Sequence, residues 1–83
     1  MKNMQMKINL QNIKGIEKFY GLIMGFESDM DVSIDRYTVD GKSLLGLVSL
    51  SVDRDLTLIV HEKAEGEALK IRDLMRDNGF LVE

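Results

Sequence analysis

Apolar Met4, Met6, Ile8 and Leu10 alternate with polar Gln5, Lys7 and Asn9, a period of two that predicts a strand with one buried face. From Ile13 the period lengthens. Ile16, Phe19, Tyr20, Ile23 and Met24 recur at helical spacing, with Glu17 and Lys18 on the opposite side, which predicts an amphipathic helix ending near Gly25. Asn12 stands where a short side chain can accept from a free N–H of the first turn. Val32 and Ile34, then Tyr37 and Val39, alternate on either side of Asp35 and Arg36, the pattern of two short strands joined by a tight turn. The leucine-rich stretch 44–50 lacks the alternation of a strand and is too short for a long helix; it predicts a short one. Leu56, Leu58 and Val60, interleaved with Thr57, Ile59 and His61, form a fourth strand apolar enough to be central. From Ala64 onward, Ala68, Ile71, Leu74 and Met75 trace a second long helix stopped by Asn78 and Gly79.

The order is strand, helix, strand, strand, short helix, strand, helix. Elements of these lengths must form two layers, a sheet with helices on one face, so the pattern predicts an antiparallel or mixed open-faced α+β sandwich. With 83 residues, a single domain spanning 1–83 is expected, in which most apolar residues are needed for the core.

Composition narrows the function classes. Eleven basic residues against 14 acidic give a net charge of −3, and the basic residues are dispersed, which argues against nucleic acid as a direct partner. Cysteine is absent, so disulfides, thiol chemistry and thiolate zinc sites are excluded, and the cytoplasm is the default compartment. The amino-terminal stretch alternates instead of running apolar, and no membrane association is expected.

Catalytic chemistry finds little support. The one histidine, His61, closes the fourth strand and reads as a solvated or locally bonded side chain. "GKS" at 41–43 lacks the first glycine of a phosphate-binding loop, where Arg36 stands. Asp29, Asp31, Asp35, Asp53 and Asp55 are scattered over turns, where carboxylates commonly serve as solvated caps, and a calcium loop demands a denser pattern. No catalytic residue, metal site or cofactor is expected.

Ser43, just before the leucine run, is a preferred helix N-cap, a role worth about 1 kcal/mol. A phosphate on its hydroxyl would meet the free N–H groups of a helix start, so the same position tolerates modification. Each helical residue advances about 100°, which places Leu44, Leu45 and Val48 together and Leu47 and Leu50 away from them. Both sets can hardly be buried in so short a helix, so one is expected to form an exposed apolar patch beside Ser43.

"GKSLLGLVSL" resembles the regulatory serine segment of the HPr family, the small phosphocarriers of the bacterial sugar phosphotransferase system. Element order and length agree over nearly the whole chain, with strong local identity only in this segment. The resemblance implies the HPr-like open-faced β-sandwich, βαββαβα, a four-stranded antiparallel sheet with three helices on one face. It also implies that Ser43 is the serine phosphorylated by the ATP-dependent HPr kinase. Leu44, Leu45 and Val48 would be the apolar positions that dock on the kinase, on enzyme I and on the catabolite-control transcription factor; Leu47 and Leu50 would be core.

The family's phosphorylation motif is broken. Where it has Gly-Ile/Leu-His-Ala/Thr-Arg-Pro, this chain has "NIKGIE", with Lys14 in place of the histidine, Ile16 of the arginine and Glu17 of the proline. An ordinary lysine, of pKa about 10.4, is almost wholly ammonium near neutral pH and a poor phosphoryl acceptor. The implied protein is non-catalytic, similar to the catabolite-repression HPr-like proteins, regulated by phosphorylation of Ser43 and binding protein partners through Lys14, Leu44, Leu45 and Val48. The alternatives are a phosphocarrier component of the phosphotransferase system, or an unphosphorylated interaction module that pairs with another protein or with itself as a homodimer.

Overall fold

The structure is a computed structural model that describes residues 3–50 and 53–82. Its elements are β1 (Asn3–Ile8), α1 (Ile13–Ile23), β2 (Asp29–Ile34), β3 (Tyr37–Asp40), α2 (Leu44–Val48), β4 (Leu56–His61) and α3 (Glu67–Asp77). The sheet has the order β1-β4-β2-β3 and every pairing is antiparallel, which resolves the antiparallel-or-mixed alternative. β4 is central as its composition implied, with Leu58 opposite Met6 on one side and Val32 on the other.

Period-two alternation sorts the sheet into two faces. Met6, Ile8, Met30, Val32, Leu56, Leu58 and Val60 are buried on one of them and form a single core with Ile16, Phe19 and Ile23 of α1, Leu47 of α2, and Ala68, Ile71 and Met75 of α3. The opposite face carries Asn3, Gln5, Lys7, Asp29, Asp31, Ser33, Thr57, Ile59 and His61, all exposed or half-exposed. This is an open-faced sandwich.

Local chemistry sets the element ends. Asn12 caps α1, its side chain accepting from the Gly15 N–H at 2.8 Å. The chain reaches that cap through Gln11, held at φ 72 while its N–H donates to the Asn9 carboxamide and its own amide to the Gly79 carbonyl. α1 closes at Ile23, two residues before the expected Gly25. α3 begins at Glu67, three residues later than the periodicity from Ala64 predicted, because Gly66 sits at φ 85 and interrupts the helical path. At the far end the Phe80 N–H bonds back to the Met75 carbonyl, turning buried Phe80 into the core and leading residues 80–82 onto the outer edge of β1.

Among the described residues, one polar knot is buried. Ser28 is fully inaccessible; its hydroxyl donates to Glu67 at 2.6 Å and accepts from the Lys63 N–H at 2.9 Å. Glu67 also accepts the Ser28 and Glu27 N–H groups, so the first residue of α3 clamps the α1–β2 loop. Its carboxyl is held below the usual glutamate range, first of all by the Ser28 hydroxyl; desolvation opposes this, and the two backbone N–H groups add to it. Asp29 is lowered as well, chiefly by its bond to Lys63.

Because these folded-state pKa values lie below the unfolded ones, the stabilisation is complete above the ordinary carboxylate range. It is lost as pH falls through the folded values. Glu67→Gln is expected to lower the urea midpoint at neutral pH and to flatten its decline between about pH 5 and pH 2, checked by urea titrations followed by circular dichroism. The two helical glycines of α1 provide a second test. A β-carbon on Gly15 would stand 1.7 Å from the Leu10 carbonyl oxygen, whereas one on Gly21 would meet nothing within 4 Å. Gly15→Ala is expected to cost about 3 kcal/mol or more, and Gly21→Ala to stabilise by about 0.5–1 kcal/mol, as read from denaturant midpoints.

Candidate functional site

The candidate site is built on α2, whose five residues are held at both ends by serines. Ser43 has extended backbone, φ −106 and ψ 105, and its hydroxyl oxygen accepts from the Gly46 N–H at 3.2 Å. At the other end the Ser49 hydroxyl donates to the Gly46 carbonyl at 2.6 Å. The approach is equally defined: Asp40 accepts the Lys42 N–H on its side chain and the Ser43 N–H on its carbonyl, an Asx-type turn into the cap. Gly41 passes so close to Met30 that a β-carbon there would lie 3.1 Å from the Met30 β-carbon. Lys42 turns away from α2 and donates its ammonium to the Phe26 carbonyl at 2.5 Å.

Gly46 lets α2 lie low on β3, where an added β-carbon would come within 3.2 Å of Val39. The helix also packs against α1. Its anchor is Leu47, 1% exposed, whereas Leu45 is 81% exposed and Leu44 and Val48 are each 40% exposed. Leu50 is half-buried against the core. An apolar surface therefore begins immediately after the capping serine.

Lys14 is the second residue of α1, exposed and without an ion pair or side-chain hydrogen bond among the described residues. It is carried by a helix that touches α2, although no hydrogen bond joins it to that helix. Around it the start of α1 offers little to an anion. The Gly15 N–H is taken by the Asn12 side chain and the Ile16 N–H by the Asn12 carbonyl. Ile16 is in the core, and Glu17 is exposed.

His61 lies elsewhere, on the open face of the sheet. Its Nε2 is 2.9 Å from an Asp31 carboxylate oxygen and its Nδ1 3.2 Å from the Asn3 side-chain oxygen, so the ring ties β4 to both neighbouring strands. Among the described residues, no group of three or more His, Cys, Asp or Glu converges as a metal site would require. No helix among them is long and apolar enough to cross a membrane.

Sequence reasoning missed the Ser28–Glu67 clamp and the Lys42 tie to Phe26, which lie at the end of the molecule where α2 begins. Nothing in their local sequence signals them. The His61 contacts were closer to hand, because aligning the period-two strands in antiparallel register sets Asn3 and Asp29 opposite His61 and Asp31 two positions along on the same face, opposite Ile59.

No protein-family model matches the chain, and no match was found among curated proteins. Among solved structures it is similar to HPr-C-His from Thermoanaerobacter tengcongensis, with 26% identity, 92% of each chain covered and a TM-score of 0.69. The chain thus has the HPr-like fold: four antiparallel strands and three helices in the same arrangement.

The cap can be tested separately from any modification. Ser43→Ala is expected to destabilise by about 1 kcal/mol and to speed amide exchange at Gly46, whereas Ser43→Asp, an equally good cap, is expected to retain both stability and protection. Hydrogen exchange by NMR with urea titration reads out both.

Proposed function

We propose that this protein is a non-catalytic, HPr-like regulatory protein related to the phosphotransferase system, phosphorylated on Ser43 and binding protein partners through Leu44, Leu45 and Val48. The HPr-like fold supports the relation to the phosphotransferase system. One observation carries the finer reading: the capping hydroxyl is directly followed by three apolar side chains left in solvent, while Leu47 between them is spent on the core. A patch of that kind beside a modifiable hydroxyl lets a change of charge act on partner choice.

Phosphorylation by the HPr kinase would form an Oγ–P bond with the γ-phosphoryl group of ATP. ADP would leave and the hydroxyl proton would pass to a base on the kinase. The product adds about −1.5 to −2 charges at the start of α2, where first-turn N–H groups favour an anion, so the fold tolerates it. Lys14, on the helix packed against α2, supplies a fixed positive charge to the same partners, among them the kinase and the catabolite-control transcription factor or enzyme I. The cytoplasm is the compartment in which this chemistry belongs.

Intact-mass measurement after incubation with HPr kinase and ATP tests the proposal. The expected result is a gain of one phosphate that Ser43→Ala abolishes and that Leu45→Lys slows at least about ten-fold, since a charge in the centre of a docking patch is poorly tolerated. No gain beside an active kinase control, with the protein folded, would reduce Ser43 to a helix cap. Phosphate transferred instead from enzyme I would restore the phosphocarrier alternative.

A further inference from the structure

Of the four asparagines, Asn3, Asn9 and Asn12 are followed by methionine, leucine and isoleucine, whereas Asn78 is followed by glycine. That neighbour changes the chemistry open to the side chain. A backbone nitrogen can attack the side-chain amide carbon of the asparagine before it, and glycine presents that nitrogen with no β-carbon to obstruct the approach. The large side chains after the other three asparagines stand in the way.

The fold holds both reactants in place. Asn78 ends α3 at φ −95 and ψ 5, half-buried, and its side-chain amide donates to the Leu74 carbonyl at 2.8 Å. Gly79, at φ 75, donates its N–H to the Arg76 carbonyl at 3.1 Å, and the Phe80 N–H reaches back to the Met75 carbonyl at 2.8 Å. Phe80 is buried in the core and Leu81 lies opposite Ile8 of β1. Ring closure needs the Asn78 β-carbon and the Gly79 nitrogen on the same side of the Cα–C bond, and at ψ 5 they stand well apart about it. The backbone itself must rotate at Asn78, and because the next peptide unit is planar that rotation carries residues 79–82 with it. Reaction therefore requires the segment to leave the core and the β1 edge.

We propose that Asn78–Gly79 is a self-modification site gated by the fold: Asn78 deamidates when residues 79–82 open locally, and the product cannot rebuild the end of α3. In the opened segment the Gly79 nitrogen gives its proton to hydroxide and attacks the Asn78 side-chain carbon. A new N–C bond closes a succinimide ring and the side-chain nitrogen leaves as ammonia. Water then adds to one of the two ring carbonyls and breaks its bond to nitrogen, leaving either aspartate or an isoaspartyl link that runs through the former side chain. Both products remove the donor that the Leu74 carbonyl receives and place a carboxylate at the negative end of α3. Arg76, in the last turn, is already shared between Asp73 and Asp77 and is no spare partner for that charge. The isoaspartyl form also lengthens the main chain just ahead of Phe80, which spoils the spacing from α3 to the buried ring. The change is irreversible on refolding and independent of Ser43.

The test follows the intact mass of the full chain during long incubation in mildly alkaline buffer, with and without enough guanidinium chloride to unfold it, and locates any gain by peptide mapping. The expected result is the mass change of an amide NH2 becoming OH, at Asn78 ahead of the other asparagines, and at least about ten-fold slower in the folded chain than in the unfolded one. Asn78→Gln is expected to abolish it. Leu81→Ala, which loosens the segment on β1, is expected to speed the folded-state reaction at least about three-fold, and Ser43→Ala, which weakens a distant helix, to leave it unchanged. The deamidated chain, separated by ion exchange, and the variant Asn78→Asp are both expected to have lower urea midpoints. No gain at Asn78 in the unfolded chain, equal rates folded and unfolded, a rate that responds to Ser43→Ala and not to Leu81→Ala, or an unchanged midpoint in the product would each overturn the proposal.

Discussion

A chain of 83 residues can cover one face of a four-stranded sheet and no more. That constraint organises the molecule. β4 supplies the centre, with Leu56, Leu58 and Val60 under the helices, and both long helices spend their buried residues on the same layer. The other face stays polar, and its cross-strand tie is a histidine held by a carboxylate and an amide oxygen, not by packing. With the core so limited, a five-residue helix can be held by one side chain. α2 is held by Leu47, and the neighbours that do not reach the core remain in solvent.

A helix with a single anchor needs its ends fixed by other means, because short helices do not hold themselves. Ser43 and Ser49 satisfy groups at its two ends, and Asp40 shapes the turn that delivers the chain to the cap. The platform beneath is stiffened by the Ser28–Glu67 clamp and by the Lys42 ammonium on the Phe26 carbonyl, which joins the α1–β2 loop to the residue before Ser43. The exposed leucines thus project from a base tied on several sides.

Much of this was legible in the sequence because it follows from period and from local chemistry. Alternation in 4–10 and 56–61, the Asn12 and Ser43 caps, and the separation of Leu47 from Leu44, Leu45 and Val48 all depend on residues a few positions apart. What was missed depends on partners far along the chain. Ala64 and Ala68 have the right spacing for one helix, but Gly66 takes a left-handed conformation and leaves Glu67 as the first helical residue, free to receive Ser28. No local pattern marks Gly15 as the point where α1 meets the Leu10 carbonyl, or sends residues 80–82 to the edge of β1.

The Gly15 contact bears on chemistry as well as stability. It brings the first turn of α1 hard against the Leu10 backbone, and with Asn12 fixing the cap the helix has one rotational setting. In that setting Ile16 enters the core and Lys14 faces solvent. On the alignment that the resemblance proposes, Ile16 occupies the position of the phosphocarrier's arginine, so a cation could stand there only by removing a core side chain or rotating the helix against Leu10. Either change meets a steep energetic penalty. On that alignment a cation at position 16 conflicts with how this chain packs, and a single Lys14→His substitution would supply a ring nitrogen without the charge that phosphoryl transfer needs beside it.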